Sequence, residues 1–165
     1  MPSWNLNVSN VVGESKDWRN EEAVTPVKNQ GQCEHAYPYQ EKDGSCRPNI
    51  KPAMQIRGVG YVTENNERLL EAVSRQPVSV YIDCSEAGFM HYAGGVYNPP
   101  DCGSTINHGV TLIGYGTSPE GIKYWLVKNS WGKIWGDNGF MKLRRDVEWP
   151  EGMCGIAQMA SYPIA

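Results

Sequence analysis

Two apolar runs dominate the second half of the chain. The first extends from Val110 to Ile113 and halts at Gly114-Tyr115-Gly116; the second extends from Tyr124 to Val127 and halts at Asn129. Thr117-Ser118-Pro119-Glu120-Gly121 between them has the composition of a turn, so the pair predicts an antiparallel hairpin. Upstream, residues 65–76 predict a helix. An Asn caps its start, Leu69, Leu70 and Val73 supply an apolar face, and Pro77 stops it. Residues 77–84 alternate as a strand with Val78, Val80 and Ile82 on one face. Tyr61-Val62-Thr63 reads as a short strand, and residues 139–145 and 154–163 as closing strands.

An antiparallel hairpin sets the start of one strand beside the end of the other, which brings His108 next to Asn129. Two readings follow. The pair are polar caps at strand ends, or Asn129 holds one ring nitrogen of His108 and so fixes its tautomer and orientation. The second is what a general base for a thiol or hydroxyl requires. Trp131 lies two residues on, placed to cover the pair and keep water from competing for it.

Composition narrows the classes. A chain of 165 residues holds one domain, or two small halves, with a real core. A formal charge of −3 with interspersed signs leaves no basic patch and speaks against a nucleic-acid partner. No apolar run approaches the roughly 18 residues of a membrane span. Nine Tyr and six Trp against two Phe suit a β-rich protein with an exposed cleft. Residues 1–13 have neither the basic nor the apolar region of a signal peptide. Asn7-Val8-Ser9 is nevertheless an N-glycosylation sequon, meaningful in a secreted protein and otherwise a chance occurrence. The five cysteines (33, 46, 84, 102 and 154) are an odd number, so a monomer keeps at least one unpaired.

The motifs then converge on a family. Asn129-Ser130-Trp131-Gly132 followed by Trp135-Gly136-Asp137-Asn138-Gly139-Phe140 resembles the segment after the catalytic Asn of papain-like cysteine proteases. Asn107-His108-Gly109-Val110 resembles the segment carrying their catalytic His. Ala23-Val24-Thr25-Pro26-Val27-Lys28-Asn29-Gln30-Gly31-Gln32-Cys33 resembles the family near the start of the mature enzyme, and residues 89–97 its next strand and turn. The resemblance implies His108 as base and acid, Asn129 as its orienter, Trp131 as shield and Gln30 as one oxyanion donor. It also implies Ile106 and Gly109 on the substrate pocket wall and a Cys102–Cys154 disulfide. Cys84 has no family partner and reads as a small buried apolar residue; His91 reads as a surface residue.

At Cys33 the pattern breaks. The family continues as C-G-[SA]-C-[WY], with the nucleophile at the second Cys on the first turn of a long helix. Here Glu34-His35-Ala36-Tyr37-Pro38-Tyr39 follows instead, and Tyr37-Pro38-Tyr39 resembles a segment from well downstream. From Cys33 to His108 is 75 residues (108 minus 33), against about 130–150 in the family. The resemblance thus implies an absent block of about 55–75 residues carrying the nucleophile and its helix. Cys33 and Cys46 are then free thiols, pair with each other, or join His35 as a three-ligand metal set.

These readings give an α+β, papain-like fold with the β-barrel-like right half retained and the helical left half mostly missing. Residues 1–13 form a leader or propeptide remnant, 14–53 an arm left from the helical half, and 54–165 the β-rich half. Function is expected to be that of a cysteine-type endopeptidase family member without its nucleophile, or a non-catalytic binding module, or a truncated product without a role. The partner is a polypeptide substrate or a protein inhibitor; a monomer with no cofactor and no metal is expected. By family, the location is the vacuole, the lysosome or the extracellular space, where disulfides persist.

Overall fold

A computed structural model of the chain describes residues 12–24, 56–100 and 102–164. The sequon at Asn7 and the expectations for Gln30, Cys33, His35 and Cys46 lie outside the described residues.

The architecture is α+β. In chain order the strands are β1 (Lys16–Asp17), β2 (Gly58–Val62), β3 (Val78–Ile82), β4 (Val96–Tyr97), β5 (His108–Thr117), β6 (Lys123–Lys128), β7 (Phe140–Arg144) and β8 (Ala160–Ile164). The α-helices are α1 (Asn66–Arg75) and the single turn α2 (Ala87–Met90). Among the described residues the strands make one sheet in the order β2-β8-β3-β5-β6-β7-β4, with β1 added to β5. β4 runs parallel to β7, and every other pairing is antiparallel.

The elements form where the apolar pattern asks for them. The Asn65 side chain accepts from the N–H groups of Glu67 and Arg68 at 2.8 and 3.0 Å, which satisfies two of the unpaired donors of the first turn. Leu69 and Val73 are fully buried and set α1 against β5. In β3 the burial alternates, with Val78, Val80 and Ile82 inside and Ser79 and Tyr81 outside. The main core gathers these side chains with Val110, Leu112, Trp125, Val127, Met141 and Leu143 from the three central strands.

β5 extends past the Gly114-Tyr115-Gly116 stop and is buried continuously from Leu112 to Gly116. The cause is the N-terminal arm. Lys16 and Asp17 pair with Tyr115 and Gly114, so β1 takes over the edge of β5 where β3 ends. A bulge between Leu112 and Gly114 shifts the register there. Ile113, Leu126 and Phe140 form a second core on the opposite face, with Trp18 and Val24 packed against them. Trp18 also donates its indole N–H to the Val73 carbonyl at 2.7 Å, which serves the last turn of α1. A Cβ on Gly114 would overlap the Lys16 carbonyl oxygen, so only glycine permits this approach.

Three other elements differ from the sequence-based expectation. β2 starts at Gly58 and ends at Val62, because β8 pairs with all of those residues. Residues 89–97 are not a strand followed by a turn. The Glu86 carboxylate accepts from the Gly88 N–H at 3.0 Å and starts the turn α2, burying Phe89 completely before the short β4. Residues 153–155 make a 3₁₀ turn with Cys154 at φ 55°, and the closing strand begins only at Ala160.

Gly114→Ala tests the arm's attachment. Forcing a methyl into that contact is expected to cost about 1–3 kcal/mol. Amide protection should be lost at Lys16 and Asp17 in hydrogen-exchange measurements while β6 and β7 keep theirs.

Candidate active site

His108 is the first residue of β5, and its backbone is in register with Ile82 at the last position of β3. Asn129 directly follows β6, where its N–H donates to the Gly139 carbonyl at 3.0 Å. The hairpin pairs Thr111 with Lys128, and the two chain ends converge just beyond that pair. The imidazole Nε2 of His108 lies 2.8 Å from Asn129 Oδ1. Asn129 is 3% exposed.

The protonation pattern follows from the partners. The Ser130 N–H donates to Asn129 Oδ1 at 2.7 Å, which identifies that atom as the amide oxygen. An oxygen facing Nε2 accepts, so Nε2 carries the proton. The neutral imidazole then presents Nδ1 as its basic nitrogen. An imidazole held in this way can accept a proton at Nδ1 from a thiol or hydroxyl placed beside it and later return it.

Aromatic rings enclose the pair. Trp131 lies 5.0 Å from the His108 ring at 34°, centroid to centroid, a tilted stack. Phe89 meets Trp131 edge-on at 5.6 Å and His108 at 6.5 Å, and Trp135 meets Trp131 at 5.3 Å. The Trp135 indole N–H donates to the Phe89 and Met90 carbonyls at 3.2 and 3.1 Å, locking α2 beneath the stack. Low local polarity of this kind strengthens the imidazole–amide bond. In the sequence Phe89 was read only as the start of a family-like strand and turn, with no sign that it packs against the imidazole.

The other expected residues fall around this centre. Ile106 is half-buried, with its side chain 3.2 Å from where a Cβ on Gly155 would sit. Gly109 is exposed and in register with Tyr81, whose ring lies 3.7 Å from the corresponding Cβ position. Cys102 and Cys154 form a disulfide with Cα atoms 5.0 Å apart. His91 is exposed. Cys84 is the free cysteine among the described residues and is half-buried, not fully buried. Burial, with the Asp83 charge added to it, pushes its thiol above the ordinary value. Among the described residues no group of three His, Cys, Asp or Glu side chains is arranged to hold a metal, and no helix is long and apolar enough to cross a membrane.

The sequence model of the papain family cysteine proteases matches residues 34–164. The chain belongs to that family. Vignain of Ricinus communis is 48% identical over 131 residues, which is 78% of this chain and 36% of vignain. The bromelain protease of Ananas comosus, solved with the E64 inhibitor, superposes with a TM-score of 0.86 at 32% identity, covering 93% of this chain and 99% of that one. A recombinant stem bromelain precursor superposes with a TM-score of 0.90 at 31% identity, covering 99% and 74%. The fold is therefore papain-like. The chain spans between 36% and 42% of the length of the curated relatives it matches.

The disulfide joins the start of the segment leading to His108 to the 3₁₀ turn that precedes β8, and it spans 52 positions. A loop of that size corresponds to about 4 kcal/mol in the chain-entropy account. Reduction with a phosphine is expected to lower the thermal midpoint markedly, and a Cys102→Ser/Cys154→Ser variant should melt at the reduced protein's temperature whether or not reductant is present.

Proposed function

We propose that this chain carries the papain-family acid–base pair without the thiol it serves, and that it does not hydrolyse peptide bonds. In this reading His108 is the base and acid, Asn129 its orienter and Trp131 the shield. Gln30 is one oxyanion donor, and Ile106 and Gly109 belong to the pocket wall. The observation that carries the reading is the spacing of 75 residues between Cys33 and His108 (108 minus 33), where the family has about 130–150. That interval is too short to hold the nucleophile and its helix along with the segments that follow. Removing the nucleophile of a comparable triad costs about 10⁶ in kcat.

Neither Cys84 nor Cys33 meets the chemical need. A thiol protease needs a low-pKa sulfur, which helix N-termini and neighbouring cations provide. Cys84 is shifted the opposite way. Cys33 follows Gln30 by three positions, and the sequence after it begins Glu34-His35-Ala36, without the family's nucleophile block.

A second reading, polypeptide binding without turnover, is favoured by a specific surface. Tyr81 and Met159 are 44% and 52% exposed, and the Tyr81 N–H donates to the Met159 carbonyl at 3.2 Å. Tyr81 is in register with Gly109, and Met159 lies on the other side of Tyr81, so the two add exposed apolar area next to the proposed wall residue Gly109. The occupant is a propeptide-like segment or a cystatin-type inhibitor. The disulfide suits a vacuolar, lysosomal or extracellular setting.

Incubation with arginine- and leucine-containing peptide substrates is expected to show no hydrolysis above the His108→Ala variant. An epoxide thiol inhibitor should add no mass at neutral pH. Cys84 should react with a small alkylating agent more slowly at neutral pH than an open cysteine and faster as pH rises, because burial and the Asp83 charge raise its thiol. Stoichiometric, pH-dependent labelling of Cys33 that vanishes in His108→Ala would overturn the non-catalytic reading.

A further inference from the structure

The chain reaches His108 through residues 102–107, a segment without regular structure whose placement comes from outside itself. Its first residue is fixed by the Cys102–Cys154 disulfide. Next to it stands Asp83, directly after β3 and 6% exposed. Asp83 Oδ2 accepts the Thr105 N–H at 3.0 Å, and Oδ1 accepts the Ser85 N–H at 2.9 Å. The Asp83 N–H donates to the Cys154 carbonyl at 2.8 Å. A Cβ on Gly103 would collide with Oδ2, so a side chain there would force the carboxylate or the segment to shift.

The same corner holds the residue before the imidazole. The Asn107 N–H donates to the Ile82 carbonyl at 3.0 Å, its Oδ1 accepts the Cys84 N–H at 3.0 Å, and its Nδ2 donates to Ser85 Oγ at 2.7 Å. Asp83 thus sits between two neighbours that grip Asn107, while its own carboxylate grips Ser85 and Thr105. Gln158 adds a bond from Nε2 to the Ser104 carbonyl at 2.7 Å, on the outer side of the segment. A buried carboxylate that accepts two backbone N–H groups makes charge-assisted bonds, stronger than those between neutral partners. Its acidity agrees with this, since the Ser85 and Thr105 N–H groups hold it below the usual aspartate value despite burial.

We propose that Asp83 is a positioning residue for His108: its carboxylate fixes the 102–107 segment and thereby sets the imidazole on Asn129. Asp83 does not touch the imidazole; it acts through Thr105, Ser85 and Asn107. Its role as a positioning residue rests on the reading of His108 as the base, whereas its link to the 102–107 segment rests on the contacts alone.

The test reads the His108 Nε2–H proton by NMR, with its solvent exchange compared to that of the β6 and β7 amides. Asp83→Asn keeps one acceptor oxygen and removes the charge. Gly103→Ala leaves the carboxylate and pushes the segment off it. Both are expected to speed exchange at His108 Nε2–H and at the Thr105 amide by about tenfold or more, the shift that loss of one charge-assisted bond produces. The β6 and β7 amides should keep their protection. Unchanged His108 exchange in the two variants would overturn the proposal. So would loss of protection spread equally over β6 and β7, since Asp83 would then serve general stability only. Peptidase activity does not enter this readout, so activity in the wild type would defeat the proposed function and leave this inference standing.

Discussion

The structure depends on the way β5 is gripped along its length. β3 pairs with it from His108 to Leu112, β6 from Thr111 to Thr117 across the bulge, and β1 at Gly114 and Tyr115. Because side chains alternate across a sheet, a one-residue slip of β5 against β3 and β6 would turn His108 to the other face and break its contact with Asn129. Both faces of the strand are buried where β1 arrives, by the main core on one side and by Ile113, Trp18 and Val24 on the other. The register is therefore set by apolar packing on two faces. The polar pair at the strand's end inherits that precision.

Much of this was legible in the sequence, and the legible parts share a cause. The β5–β6 hairpin, α1 and β3 are local patterns with clear stops, so periodicity alone locates them. The convergence of His108 and Asn129 follows from hairpin register, which needs no distant information. The extension of β5 through Gly114 was not legible, because the partner that rewards it, Lys16-Asp17, lies far back in the chain. Gly114 and Gly116 read as a stop; in the fold they admit the Lys16 backbone and the Tyr124 ring. The turn at Phe89 was hidden for a similar reason. Its burial is decided by Trp131 and Trp135, from a loop more than 40 residues onward.

At the site, the sequence pointed to the imidazole–amide contact and gave no sign of what holds it in place. His108, Asn129 and Trp131 stand in segments that resemble the papain family. Asp83 stands in an ordinary alternating strand end, where a carboxylate gives no hint that two backbone N–H groups from separate loops will meet it. Such supporting residues are visible only once the loops are placed. The family's chemistry asks for more than a placed imidazole: an ionised sulfur and an oxyanion hole have to face it together. This chain belongs to the family by sequence and by fold, and the placed imidazole–amide pair comes from the first residue of β5 and the residue just after β6.

The account's central claim is that the imidazole–amide pair stands without an acylable thiol. Rapid-quench intact-mass measurement on the chain mixed with an activated peptide ester tests it most directly. The account predicts the unmodified mass at every quench time. A one-to-one acyl adduct that forms with the wild type and is absent from His108→Ala would contradict it.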